Sequence, residues 1–497
     1  MNARSLSRRH LLAGLAASIA LPACAEAPAR SIRPAARPSG GAEGASLPAA
    51  ARGGIDLAAL VAAARLGGTT ACALVDAETG RPLDGLSEGT TLPPASTAKA
   101  MTALFALDRL GTGRRFVTRI VATGPVQGGA VQGDLVLVGG GDPTLQTDML
   151  AELAARLAAA GVRGVTGRFL VHGGALPRIA RIDRDQPDHV GYNPTISGMM
   201  LNFNRVHFEW KRAGQGWALA MDARGQKVVP AVRMAEVRAV NRQSPLFTYE
   251  ETEGRDRWTV AAPALGKGGS RWLPVRNPEL YAGEVFQTLA AARGIRVPAP
   301  RPVGALPGGR VVAEIASDPM PVLLRDMLRF STNITAEAIG LAASGAGSLA
   351  ASGAAMSDWA RGRYGVASRL VDHSGLGGAS RISPADMALA LARGRGSGLA
   401  GILREQGMRD EDGREIKGHP VRVPAKTGTL NFVSGLAGYI RPPGRREMAF
   451  AVFSADADRR DGLPREAREQ PPGGAEWTRR ARLMQGRMVS RWAARFA

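Results

Sequence analysis

The chain has 497 residues, 45% of them hydrophobic and only 5% aromatic. It is too long for one core, since single cores stop growing at roughly 250–300 residues, and too apolar to be disordered, so two or three domains are expected. A formal net charge of +21 favours polyanionic surroundings such as anionic lipid or wall polymer. The charge is spread along the whole sequence, however, and no stretch interleaves aromatic with basic residues, so no nucleic-acid module is expected. Two cysteines, Cys24 and Cys72, cannot make a disulfide framework, and the six histidines show no metal-ligand spacing. Hydrolytic chemistry, if present, is expected to run without a metal or other cofactor.

Arg4, Arg8 and Arg9 precede an apolar run over residues 11–23. As a helix that run spans about 20 Å, short of the roughly 30 Å hydrocarbon core of a membrane. A charged start, a short apolar middle and a small-residue end predict an export signal over residues 1–25. Ser7-Arg8-Arg9-His10-Leu11-Leu12 resembles a twin-arginine address. Cleavage after Ala25 leaves Glu26 first and a periplasmic product. Lipidation at Cys24 is the alternative, disfavoured by Pro22, and an uncleaved anchor is a third. Residues 26–54, rich in Pro, Ala, Gly, Ser and Arg, predict a flexible tether.

Order is expected from residue 55. Leu57, Leu60, Val61 and Ala64 share one face of a helix over 56–66. A strand over 70–76, a turn at 77–80 and a return toward Leu83 make an antiparallel hairpin. Pro93-Pro94-Ala95 then stops regular structure, and a helix is predicted from Ser96 to Leu110. Residues 134–177 read as strand, turn, helix from Thr147, and strand. Residues 200–262 read as β-rich. Helices are predicted over 279–293, 320–330, 334–344 and 385–393, and strands over 421–430, 432–440 and 447–454. The chain closes with a basic helix from about Glu476, in which Trp477, Ala481, Met484, Met488 and Trp492 form one apolar stripe. That stripe is expected to dock on the protein, with binding to an anionic membrane the rival.

Three short motifs fall within this frame. Ser96-Thr97-Ala98-Lys99 opens a helix, and a spacing of three sets the lysine amine beside the serine hydroxyl. A serine hydroxyl is a weak nucleophile until a base takes its proton, and a neutral lysine can do so. Burial would favour that neutral state, as would the positive charge of Lys426 if the fold sets the two motifs together. Ser331-Thr332-Asn333 breaks two apolar helices, where a hydroxyl and an amide can point into a cleft. Lys426-Thr427-Gly428-Thr429 lies on a predicted strand, where a cation and hydroxyls can hold a carboxylate and the glycine leaves room for a substrate. Singly, each has a bland reading: an exposed lysine after a capping serine, ordinary helix capping, a polar edge strand. Gly139-Gly140-Gly141 lacks the lysine-hydroxyl ending of a phosphate loop.

In that order the motifs resemble the penicillin-recognising serine enzymes. The separation of Ser96 from Ser331, 331 − 96 = 235 residues, is similar to that in the penicillin-binding protein 4 family of D-Ala-D-Ala carboxypeptidase/endopeptidases. Residues 139–145, 202–206, 331–337 and 372–376 agree, although His373 stands where the family often has glycine. The resemblance implies an α/β fold, an antiparallel sheet flanked by helices and interrupted by a large insertion. It implies a catalytic domain over 55–118 and 280–497 around accessory subdomains at 119–279. These are expected to have cores of their own and to tune access without chemistry. It implies Ser96 as nucleophile, Lys99 as base and Ser331 in proton transfer. Asn333, Lys426, Thr427, Gly428 and Thr429 would bind substrate, and the N–H groups of Ser96 and Thr429 would form the oxyanion hole. Peptidoglycan peptides are the implied substrates and β-lactams the covalent inhibitors. A serine β-lactamase and a non-catalytic wall-binding protein are the alternatives.

Overall fold

The computed structural model describes residues 56–496. The expected export signal, the tether and Cys24 lie outside them. Two bodies of secondary structure can be distinguished by their cores.

The first is a six-stranded antiparallel sheet ordered Glu405–Gln406, Val423–Leu430, Val433–Ile440, Met448–Ala455, Thr69–Asp76 and Pro82–Leu86. Its three central strands are buried on both faces, so they read as nearly continuous apolar runs. Alternation divides them between two cores. Ala71, Ala73, Val75, Val433, Tyr439, Ala451 and Phe453 face one cluster, formed with the helices Ala98–Leu110, Met320–Phe330, Asn333–Ser344, Leu349–Tyr364 and Pro384–Arg393. Cys72, Leu74, Ile440, Phe450 and Val452 face the other, formed with Leu57–Ala64 and Gly474–Phe496. Trp477, Ala481, Met484, Met488 and Trp492 are all buried there, so the C-terminal stripe docks on the sheet. Cys72 is a buried free thiol, pushed up to about 12 by that burial. Among the described residues no single helix is long and apolar enough to cross a membrane.

The second body interrupts the first. A mixed sheet runs Pro300–Val303, Phe169–His172, Leu135–Val138, Val117–Ala122, Arg310–Ala316. The helices Thr147–Ala159 and Pro278–Ala291 and two three-stranded sheets between residues 205 and 274 complete it. Two expectations change here. The insertion was expected to end at 279, yet Tyr281, Val285, Phe286, Leu289 and Ala313 belong to its core, and Arg310–Ala316 closes its sheet against Val117–Ala122. The boundary therefore falls near residue 316; a helix read in isolation does not say which sheet its apolar face will cover. Nor do two subdomains have separate cores. Val206, Phe208, Trp258 and Val260 of the small sheets share one continuous cluster with Leu137, Leu153 and Phe169.

Candidate active site

Ser96 sits in a single 3-10 turn, Ala95–Thr97, which leads into the helix Ala98–Leu110. Pro94 precedes the turn, and Ala95 is left-handed at φ 47°, a conformation that costs an L-residue about 1–2 kcal/mol. Neighbours hold it in place. Gly375, at φ 71°, passes so close to the Ala95 carbonyl that a Cβ there would overlap it. A Cβ on Gly428 would lie 2.8 Å from Pro94 O and 3.1 Å from Ser96 N. Glycine at 428 thus lets the strand Val423–Leu430 run directly beside the Ser96 turn.

One helical turn on, Lys99 is fully buried and its Nζ donates to three acceptors: Ser96 Oγ at 2.9 Å, Asn333 Oδ1 at 2.8 Å and the Ser374 carbonyl at 2.8 Å. Burial drives its pKa down to about 7, against the opposing pull of Glu337 and Asp372. These two carboxylates oppose the burial, while Lys426 and Lys99 repel one another as like charges. Once Lys99 is neutral, its two N–H groups satisfy Asn333 and Ser374, and the lone pair is left facing Ser96 Oγ. Two fixed acceptors thus aim the amine at the serine hydroxyl, as a base would need.

Ser331 ends the helix Met320–Phe330 in a left-handed cap at φ 57°, which turns its hydroxyl toward Lys426; Lys426 Nζ donates to Ser331 Oγ at 3.1 Å. Lys426 is itself buried, held well below its usual range by desolvation and then by the charge of Lys99. Asn333 begins the next helix. Its amide Nδ2 donates to the Tyr192 carbonyl at 3.1 Å, which leaves Oδ1 for the lysine. Tyr192 belongs to the insertion, so that body orients one member of the site as well as flanking it. Lys426 points inward to Ser331, and Gly428 lies on the same face, against the Ser96 turn. Thr427 and Thr429 alternate with them, Thr427 exposed and Thr429 half-buried, and Arg482 of the C-terminal helix donates to Thr429 Oγ1 at 3.2 Å.

A cleft of about 1180 Å³ opens over this arrangement, lined by Ser96, Ser331, Asn333 and Thr429 with Tyr192 and Trp272 of the insertion. Glu405–Gln406 pairs only with Val423 and Pro424, so among the described strands none covers the outer edge at 426–430. An extended peptide can align there by β-strand addition. The structure thus brings Ser96, Lys99, Ser331, Asn333, Lys426, Gly428 and Thr429 together, while Thr427 lies at the exposed margin. His373, the departure noted in the sequence, is buried over Gly340, stacks on Phe105 and bonds Ser352 at 2.6 Å. Burial lowers its pKa to about 3, so it is a neutral packing residue. Sequence reasoning overlooked Glu337, the Ser374 and Tyr192 carbonyls and Arg482. Glu337 and Ser374 lie inside segments that carried the resemblance; the reach of Tyr192 and Arg482 across the fold has no local signal. His207, Glu209 and Asp222 also converge, but Arg224 bonds both carboxylates and Lys211 pairs with Glu209, which compensates their charge from within.

Residues 54–471 match the D-Ala-D-Ala carboxypeptidase 3 (S13) family. A D-alanyl-D-alanine carboxypeptidase of Actinomadura is 27% identical over 421 residues, covering 77% of this chain and 76% of that one. A carboxypeptidase of Mycobacterium tuberculosis is 27% identical over 410 residues, covering 78% of this chain and 77% of that one. The crystal structure of penicillin-binding protein 4 from Haemophilus influenzae shares the fold at a TM-score of 0.66 and 21% identity, covering 81% of this chain and 93% of that one. The same protein has been solved in complex with a β-lactam. With Ser96 and Lys99 set in this fold, the chain belongs to the D-Ala-D-Ala carboxypeptidase (S13) family and is a serine hydrolase.

Proposed function

We propose that Ser96, activated by Lys99, cleaves the bond after the penultimate D-Ala of peptidoglycan stem peptides through an acyl-enzyme. The observation that carries this is the three-acceptor seat of Lys99, which leaves a neutral amine one free direction, toward Ser96 Oγ. Ser96 Oγ attacks the D-Ala carbonyl and its proton passes to Lys99. The N–H groups of Ser96 and Thr429 receive the developing oxyanion. The departing amine takes a proton by way of Ser331, which Lys426 holds. Water then hydrolyses the ester and frees the serine. Lys426, Thr427 and Thr429 hold the carboxylate next to the leaving amine, and Arg482 beside Thr429 adds a permanent positive charge.

That reading covers release of a terminal D-Ala and cleavage of a cross-link, since both bonds join the carbonyl of a D-Ala to an amine. The open strand edge and the wall contributed by Tyr192 and Trp272 leave length for the longer substrate. β-Lactams enter as carboxylate-bearing mimics of the same peptide, and the export signal predicted over residues 1–25 assigns the activity to the periplasm. Labelled penicillin is expected to form a stable ester, seen as a mass increase on the intact protein. Ser96→Ala should abolish it. Full labelling of Ser96→Ala would assign the nucleophile elsewhere, and rapid loss of the label from the wild type would favour a β-lactamase.

A further inference from the structure

Beneath the catalytic lysine lies a buried carboxylate that the reaction does not consume. Glu337, one helical turn after Asn333, is fully buried. Its two oxygens each accept a backbone N–H: Oε2 from His373 at 3.0 Å and Oε1 from Ser374 at 2.8 Å. The peptide segment so gripped is the one whose next polar group, the Ser374 carbonyl, binds Lys99 Nζ. Further anchors of the segment are Ser352, bonded to the His373 ring at 2.6 Å, Thr102 Oγ1, which donates to the His373 carbonyl at 2.7 Å, and Asp372, which accepts from Gly375 N at 2.9 Å and Gly377 N at 2.6 Å. A carboxylate placed out of water costs stability unless it is paired or hydrogen-bonded. A backbone loop could have been capped by a neutral amide or hydroxyl, so a fully buried carboxylate in this position calls for a role that its charge performs.

We propose that Glu337 is a positioning residue for Lys99: its carboxylate clamps the His373 and Ser374 N–H groups so that the Ser374 carbonyl faces the lysine amine, and its charge stands behind that amine to balance it when it takes the serine proton. Acylation creates an ammonium in a closed, dry site, and a fixed negative charge close by stabilises it more than water-screened charge would. The groups facing this centre are Asp372 and His373 from the same loop and Lys426 from the neighbouring strand, with Asp183 acting on Asp372 and Arg404 on Lys426. His373 is neutral, so it adds no charge. Burial and then the proximity of Asp372 push Glu337 up to about 8, while the Ser374 hydroxyl and the two N–H donors pull it back. One N–H on each oxygen favours the carboxylate over the acid, and an ammonium forming on Lys99 favours it further.

The proposal rests on Lys99 being the base, and the test separates the two ideas. The second-order rate of acylation by a fluorescent penicillin is followed against pH for wild type, Glu337→Gln, Glu337→Asp and Thr102→Val, with melting curves to establish folding. If Lys99 is not the base, the wild type itself lacks a rise through neutral pH, whatever Glu337 does. If it is, Glu337→Gln should move that rise to lower pH, because a charge favouring the ammonium has gone, and should lower the plateau about tenfold or more as the carbonyl loses its aim. Glu337→Asp keeps the charge but withdraws from the N–H groups, so its plateau should fall while the midpoint stays near that of the wild type. Thr102→Val loosens the same loop without touching charge and should do likewise to a smaller extent. Should Glu337→Gln fail to fold, an unchanged plateau in both Glu337→Asp and Thr102→Val overturns the proposal. A folded Glu337→Gln protein with the wild-type midpoint overturns it as well.

Discussion

The buried lysine makes a quantitative forecast about pH. In water its amine would titrate near 10.5, whereas burial brings it to about 7. A base must be neutral to accept a proton, so acylation should rise with pH through the folded value. One unit below that midpoint about one lysine in eleven is neutral, and one unit above it about ten in eleven are, so the rate should climb about tenfold between about pH 6 and about pH 8. With an unshifted amine only about one molecule in 300 would be competent at about pH 8, and the rate would still be rising steeply there. Stopped-flow mixing with a fluorescent penicillin gives the second-order constant directly. Because Lys426 lies close enough to share the titration, the midpoint belongs to the pair. Lys99→Arg, whose guanidinium cannot lose its proton in this range, should lose about 10²–10⁴ in rate at every pH. A flat profile between those limits, or Lys99→Arg within threefold of the wild type (about 0.7 kcal/mol), would refute this reasoning.

Two further outcomes follow from packing. Gly428→Ala sets a methyl 2.8 Å from Pro94 O and 3.1 Å from Ser96 N; the strand must withdraw from the nucleophile turn. Acylation should fall about tenfold or more for a stability cost of about 1–3 kcal/mol, read by pairing kinetics with denaturant unfolding. Trp477→Ala removes a fully buried indole whose Nε1 donates to the Leu66 carbonyl at 2.7 Å. It should cost about 3–5 kcal/mol, and a loss below about 1 kcal/mol in urea unfolding would contradict the docking of the C-terminal helix.

The catalytic half of the fold was legible because its elements carry strong local signals. The predicted helices over 320–330 and 334–344 match Met320–Phe330 and Asn333–Ser344, and the predicted strands near the C-terminus fall within two residues of those observed. The helix Leu349–Tyr364 was not anticipated. Its Ala, Gly and Ser residues give no apolar stripe, and it forms because tertiary packing of Met356, Trp359 and Tyr364 outweighs weak propensity. Strands Val117–Ala122, Pro300–Val303 and Arg310–Ala316 were also missed, and with them the far boundary of the insertion. Two of the three are edges of the sheet, and pairing between residues some 190 apart leaves nothing in a short window. The site was legible as a set of residue types at the right spacings, but not as a geometry. That Asn333 takes its orientation from Tyr192, or that two carboxylates lie behind Lys99, depends on contacts across the whole chain.

The seat of Lys99 has a bearing on biogenesis. Two of its three acceptors come from sequence positions 234 and 275 residues away, and the sheet that backs them is sealed by a helix whose Trp477 bonds a carbonyl 411 residues upstream. Contacts of such separation form late, after the entropy of closing long loops has been met. A nascent chain that has presented Ser96 but not yet Asn333, Ser374 or Trp477 holds an ordinary, solvated hydroxyl with no aimed base beside it. Reactivity is therefore expected only once these distant segments have joined, and an unfinished chain should have little acylating power. Covalent labelling by penicillin is for the same reason a clock for refolding: after dilution from denaturant, the label should appear with the slowest structural phase, never ahead of it.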